Sequence, residues 1–311
     1  LSNPYTHNLK KIVFDIETMG LYPGKDMIIN AGFCDPETLE CVQLFAETPG
    51  DEERLLRDIL SIISEYDVVI TYNGDRFDLP FIQTRCRKYS IDFNQNFWSI
   101  DMYRYLRKYW PMAERMAHLN QKSVEIALGL ADKRSDEIGG GECIPLYEEY
   151  LLTSNQKAKD LILLHNADDI KQLAKIYNAS IFLPYDKIAF ERGFALKAPE
   201  RIQVKSIRFD KNALYVQAEK RVGGIPSSIF EEGYELEYDC FLGEINIKVF
   251  YFERENGTRY VDLHRLPCDI KALENLEGFH SGYLVLADAK EVRYREVNNL
   301  VISILSHEGL F

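Results

Sequence analysis

The chain has 311 residues, 46% of them hydrophobic, and a formal net charge of −12. This length exceeds one typical core and predicts two domains, while the apolar content excludes a disordered chain. The acidic balance excludes a protein that coats nucleic acid through global charge, although a local basic patch would suffice to track phosphates.

No apolar run reaches the roughly 18 residues of a membrane span, so no membrane association is expected. Lys10-Lys11 precedes too short an apolar run for a signal peptide, and the chain begins at Leu1, which leaves its native start open. Six cysteines are scattered without a C-x-x-C pair. Reduced thiols in a cytoplasmic protein fit this pattern better than a disulfide framework or a zinc site.

In chain order, Ile12-Val13-Phe14 opens a strand that ends in Asp15-Ile16-Glu17. Met27–Phe33 and Cys41–Phe45 follow as strands joined by short turns, which predicts an antiparallel meander. Leu55, Leu56, Ile59, Leu60 and Ile63 have helical spacing, and Asp67–Thr71 reads as a short buried strand. Pro80 suits the first turn of the next helix, and Phe97–Ile100 reads as a fifth strand. Asp101 after it reads as a helix cap rather than a ligand. Together these predict a mixed α/β sheet flanked by helices. Arg85, Arg87, Lys88, Arg104, Arg107, Lys108 and Arg115 cluster in sequence and read as a solvated helix face able to meet phosphates. Gly139-Gly140-Gly141 predicts a flexible loop. Thr153 with Gln156 resembles a capping box for a helix reaching about Tyr177.

Beyond Pro184 the pattern changes to alternating strands. Ile245, Ile247, Val249 and Tyr251 alternate strictly, and Asn256-Gly257 signals a hairpin. The expected organisation is therefore residues 1–184 as one domain and 185–311 as a second, mainly antiparallel β-rich domain closed by a helix. Its aromatics, among them Phe209, Tyr215, Tyr234, Tyr238, Phe250, Phe252 and Tyr260, read as core and cross-strand pairs rather than base-stacking platforms.

Asp15 and Glu17 alternate along a strand and so share one face. Neighbouring carboxylates repel and raise each other's pKa unless a cation lies between them, and a hard divalent metal is the usual answer; a hydrated strand end is the alternative. Asn73-Gly74 makes a turn after the fourth strand, and Phe77-Asp78 opens the helix beyond it. His165 and Asp169 are four apart in a row that is otherwise apolar, so both are expected to face the interior, with Asp168 exposed. Asp75 and Arg76 are expected to be exposed in the turn. His7, His118, His264, His280 and His307 have no partner pattern.

Taken together, Asp15-x-Glu17, Asn73-x-x-x-Phe77-Asp78 and His165-x-x-x-Asp169 resemble the three motifs of the DEDD superfamily of 3′–5′ exonucleases, whose fold is ribonuclease H-like. The second motif is close to that of the proofreading domains of family B polymerases. Lys122-Ser123-Val124-Glu125, Ile144-Pro145-Leu146-Tyr147 and His165-Asn166-x-x-Asp169-Ile170 are similar to the bacterial YprB-like branch. The resemblance covers about residues 10 to 180. Histidine here stands at the spacing usual for the tyrosine variant of the third motif. The resemblance implies a metal-dependent nuclease using two Mg²⁺ or Mn²⁺ ions. Asp15, Glu17, Asp78 and Asp169 would be ligands and His165 the general base. It implies a DNA or RNA substrate with a single-stranded 3′ end and names no protein partner. A non-catalytic nucleic-acid-binding or scaffold module, or a structure-specific endonuclease, remains the alternative.

Overall fold

The computed structural model describes residues 3–130, 139–197, 201–289 and 291–307. The chain divides into two compact units: Leu9–Leu183, and Asn3–Asn8 together with Pro184–Phe311.

In the first unit, β1 (Lys11–Thr18), β2 (Ile28–Cys34), β3 (Cys41–Phe45), β4 (Val68–Thr71) and β5 (Trp98–Asp101) form one sheet in the order β3-β2-β1-β4-β5. The pairs β1–β2 and β2–β3 are antiparallel, and β1–β4 and β4–β5 are parallel. This is the mixed five-stranded arrangement expected from the spacing of the apolar runs. The helices are α1 (Glu52–Ser64), α2 (Asp78–Lys88), α3 (Met102–Tyr109), α4 (Gln121–Ala127), α5 (Cys143–Thr153) and α6 (Gln156–Ala179).

The alternation of β1 splits its side chains between two layers. Ile12, Phe14 and Ile16 join Phe33 and the apolar faces of α1 and α2, among them Leu56, Ile59, Phe81 and Ile82. Asp15 and Glu17 therefore point to the opposite face, where Ile29 packs with Cys143, Tyr147 and Ile162 of α5 and α6. The β1–β2 register shifts between Glu17 and Thr18, a bulge at the end of the strand that carries both acids.

Two local expectations are corrected. Arg85 does not belong to a solvated basic face. It is 1% exposed, and its Nε donates to Glu52 Oε1 at 2.7 Å. A buried guanidinium needs a bidentate carboxylate partner, and α1 supplies one. α6 is capped by Asn155, whose side chain accepts from the Lys157 N–H, whereas Thr153 ends α5. A residue one place before the helix reaches the exposed N–H groups, and Thr153 is too far back. Gly140–Glu142 form a 3-10 turn that leads directly into α5.

In the second unit, α7 (Tyr185–Arg192) precedes β6 (Phe194–Leu196), β7 (Ile202–Asp210), β8 (Ala213–Lys220), β9 (Ser227–Phe230), β10 (Tyr234–Asp239) and β11 (Glu244–Phe250). These strands form a sheet in the order β6-β7-β8-β11-β10-β9, with every pairing antiparallel. Next come β12 (Phe252–Glu253), β13 (Arg259–Asp262), α8 (Ile270–Leu273), β14 (Phe279–His280), β15 (Tyr283–Asp288), β16 (Glu291–Val292) and α9 (Tyr294–Leu305). β12-β13-β15-β14 make a second antiparallel sheet, with β16 beside β15. Ile245, Ile247 and Val249 all face the core with Val297, Leu300 and Ile304 of the closing helix. Tyr234 and Tyr238 are buried in that core, and Phe252 stacks on its cross-strand partner Tyr260 at 5.5 Å. Among the described residues, no helix is long and apolar enough to cross a membrane.

Candidate metal centre

The site lies beyond the end of the pairing between β1 and β4. The parallel ladder stops at Val13 opposite Ile70, which leaves the next N–H groups of β1 without a strand partner on that side. The Asp78 carboxylate takes this place, its Oδ1 accepting from the Ile16 N–H at 3.2 Å. In an open sheet, the carboxyl ends of parallel strands are where chain reversal leaves such a crevice.

Asp78 is aimed by the turn after β4. Asn73 has a left-handed backbone (φ 65°). A Cβ on Gly74 would lie 2.5 Å from the Thr71 side chain, so this close turn requires glycine. The Asp101 carboxylate fastens the turn, accepting from the N–H groups of Asn73 at 2.9 Å and Asp75 at 3.3 Å. It also caps α3 by accepting from the Arg104 N–H, the role expected of it. Asp75 is not exposed as the turn composition predicts. It is half-buried, accepts from Ser99 Oγ at 2.6 Å and pairs with Arg104. Arg76 is exposed as expected.

α6 carries the other part of the site. His165 is buried, and its Nε2 lies 3.7 Å from Glu17 Oε1 and 3.5 Å from Asp169 Oδ2. Asp15, Glu17 and Asp169 each offer a carboxylate oxygen, and these atoms lie within 4.8 Å of one another. A second group, with the same spread, comprises Glu17, Cys143 and His165. Asp168, expected to be exposed, is buried at 7%. A helix packed over a sheet on one side and beside α4 and α5 on others has little free surface at its middle.

Asn166 was not assigned a role by spacing. Its Nδ2 donates to Asp15 Oδ2 at 3.0 Å, and its Oδ1 accepts from Gln43 Nε2 at 2.9 Å. The same Gln43 amide donates to the Leu163 carbonyl at 2.8 Å. Gly32 makes room for this arrangement, since a Cβ there would come within 2.0 Å of Asn166 Oδ1. Cys143 was also missed. It is a lone cysteine in sequence, and only the packing of α5 brings its thiol within 4.8 Å of a Glu17 carboxylate oxygen.

The electrostatics follow from acids crowded in a poorly solvated place. Burial pushes the Asp15 carboxyl well above the ordinary carboxylate range. The charges of Asp78, Glu17 and Asp169 push it further, against the Asn166 hydrogen bond. Asp78 is pushed up to about 7, mainly by burial and less by Asp101, while its own N–H and that of Ile16 oppose the rise. The Cys143 thiol is pushed up by burial and then by the Glu17 carboxylate. A group of oxygen donors whose ionised forms repel one another is chemically suited to a hard divalent cation, which would remove that repulsion.

Residues 12–181 match the RNase_H superfamily, and the chain belongs to that superfamily. This agrees with the mixed sheet and the helices around it. The chain is 33% identical over 96 residues to a DNA polymerase of Methanocaldococcus jannaschii, covering 28% of this chain and 6% of that protein. It is 38% identical over 94 residues to a DNA polymerase of Pyrococcus glycovorans, covering 27% of this chain and 12% of that one. The chain thus spans a small part of the curated relatives it matches. A family B DNA polymerase structure from Pyrobaculum calidifontis aligns with 14% identity and a TM-score of 0.44, covering 55% of this chain and 24% of that one.

Proposed function

We propose that the first unit is a metal-dependent nuclease that shortens DNA or RNA from the 3′ end, a member of the DEDD superfamily near its YprB-like branch. The observation that carries this reading is the convergence of Asp15, Glu17 and Asp169 within 4.8 Å, with Asp78 close enough to raise the Asp15 pKa by its charge. Similarity to DNA polymerases over 28% and 27% of the chain supports a nucleic-acid substrate. We assign the chemistry to residues 1–184 and leave residues 185–311 without a catalytic role.

Asp15, Glu17 and Asp169 would hold one Mg²⁺ or Mn²⁺, and Asp78 with Asp15 a second. Such ions, when bound, supply positive charge against the phosphate and lower the pKa of water. The chain's own groups do the rest. The Asn166 amide holds one Asp15 oxygen, which orients the other for ligation. The Ile16 N–H holds Asp78 in the same way. His165, with Nε2 facing Glu17 and Asp169, would take a proton from the attacking water as a general base. Arg76, Arg87 and Arg107 are exposed and offer phosphate contacts.

The test is a cleavage assay on end-labelled single and double strands of DNA and RNA, with and without Mg²⁺ or Mn²⁺. Stepwise loss from the 3′ end that requires the metal and disappears in Asp15→Asn is expected. Internal cuts would replace this reading with an endonuclease. Binding without cleavage, unchanged in Asp15→Asn, would replace it with a non-catalytic module.

A further inference from the structure

Three side chains from three elements converge beside the carboxylate group: Glu17 on β1, Cys143 at the start of α5 and His165 on α6. They are 6%, 0% and 3% exposed. Their ligand atoms all lie within 4.8 Å of one another, and His165 Nε2 is already 3.7 Å from Glu17 Oε1. Donors bound to one tetrahedral zinc lie roughly 3.3–3.6 Å apart, as follows from its bond lengths to sulfur, nitrogen and oxygen. Side-chain rotations of an ångström or less would bring the group to that spacing.

We propose that Glu17, Cys143 and His165 form a binding site for a borderline-soft transition metal of the zinc class, and that such a metal competes with the hard divalent cation for Glu17. The donor set is what separates the two sites. Magnesium takes oxygen ligands and has little affinity for sulfur, whereas zinc binds thiolate, imidazole and carboxylate together and accepts a water as its fourth ligand. Glu17 belongs to both groups, so zinc on Cys143 and His165 would withdraw a ligand from Asp15 and Asp169. It would also occupy the Nε2 that faces them. On binding, the Cys143 S–H bond is replaced by a sulfur–metal bond and the proton leaves to solvent, with no change of oxidation state. The competition rests on the reading of Glu17 as a hard-metal ligand; the binding itself does not.

Cobalt(II) is the probe for the site, because thiolate ligation gives it a charge-transfer band in the near ultraviolet. The full chain is expected to show this band, Cys143→Ser to lose it, and Cys41→Ser to keep it. Zinc affinity, read by competition with a chromophoric chelator, is expected to fall at least about tenfold in Cys143→Ser, the loss common even for outer-shell partners. X-ray absorption at the zinc edge of the unmodified protein needs no variant, and one sulfur at about 2.3 Å is expected. A cobalt spectrum without a thiolate band, a band that survives Cys143→Ser, or a zinc shell of oxygen and nitrogen only would overturn the site. Zinc is also expected to release Mn²⁺ from the loaded protein. A thiolate band that forms without Mn²⁺ release would overturn the competition and leave the cleavage assay to judge the nuclease reading alone.

Discussion

Asn166 Nδ2 donates to Asp15 Oδ2 at 3.0 Å, joining a strand and a helix 151 residues apart in the chain. Gln43 on β3 holds the other end of Asn166, its Nε2 donating to Asn166 Oδ1. One oxygen of Asp15 is thereby held by an amide while its acidic neighbours raise its pKa. Loss of a partner that orients a ligating carboxylate commonly costs about 10–100-fold in metal affinity. Asn166→Ala is expected to weaken Mn²⁺ binding by that factor, measured by titration calorimetry. Gly32→Ala should do the same, because its Cβ would displace Asn166. Since both act through one contact, the double variant should be little worse than either. Additive losses would show that the two residues act separately.

Asp15→Asn should separate stability from chemistry. The carboxyl sits among Asp78, Glu17 and Asp169, all of which disfavour its charge. In metal-free protein at neutral pH the substitution should raise the unfolding midpoint. Cleavage should drop by about 10³-fold or more, equivalent to roughly 4 kcal/mol of lost transition-state stabilisation.

The raised pKa values give the metal-free protein a definite pH profile. An unfolded aspartate titrates near 3.9, whereas folded Asp78 titrates at about 7 and Asp15 is also raised. Between those values the folded state binds more protons, so stability falls as pH rises. The contribution should be fully present below about pH 4 and lost as pH rises through about 7. Denaturant midpoints in a chelator, taken across this range, should decline. Asp78→Asn should flatten the decline, and Mg²⁺ should reverse it at neutral pH by binding only the folded state.

Arg85 and Glu52 form a buried pair whose loss should be structural. Glu52 also accepts from the Ile28 N–H at 3.0 Å and from Tyr89 Oη at 2.8 Å. Arg85→Ala leaves that carboxylate buried without its cation, which should cost about 3–5 kcal/mol. Replacing both members with apolar residues should recover most of this. Chemical denaturation measures both effects, and nucleic-acid affinity should show no loss once the variants are compared while folded.

Much of the first unit was legible because its signals are local. Strands such as Val68–Thr71 are short apolar runs between breakers, and α1 repeats Leu55, Leu56, Ile59 and Ile63 on one face. Asp15 and Glu17 could be placed side by side because strand geometry alternates, and His165 with Asp169 because helix geometry repeats. What local rules could not supply was the neighbour from elsewhere. Arg85 reads as solvated until Glu52 of another helix is beside it. Asp168 reads as exposed until the elements around α6 are in place. Cys143 carries no spacing signal, since its companions come from β1 and α6.

The order of the chain has a consequence for synthesis. Asp15 and Glu17 leave the ribosome with the first strand, Asp78 with the second helix, and Asp169 only with the sixth. A nascent chain, or one cut within the long segment between, would carry the acids without their arrangement. The centre would be completed only after nearly all of the first unit had emerged and folded as a body. On the nuclease reading proposed above, cleavage would become possible only at that late step.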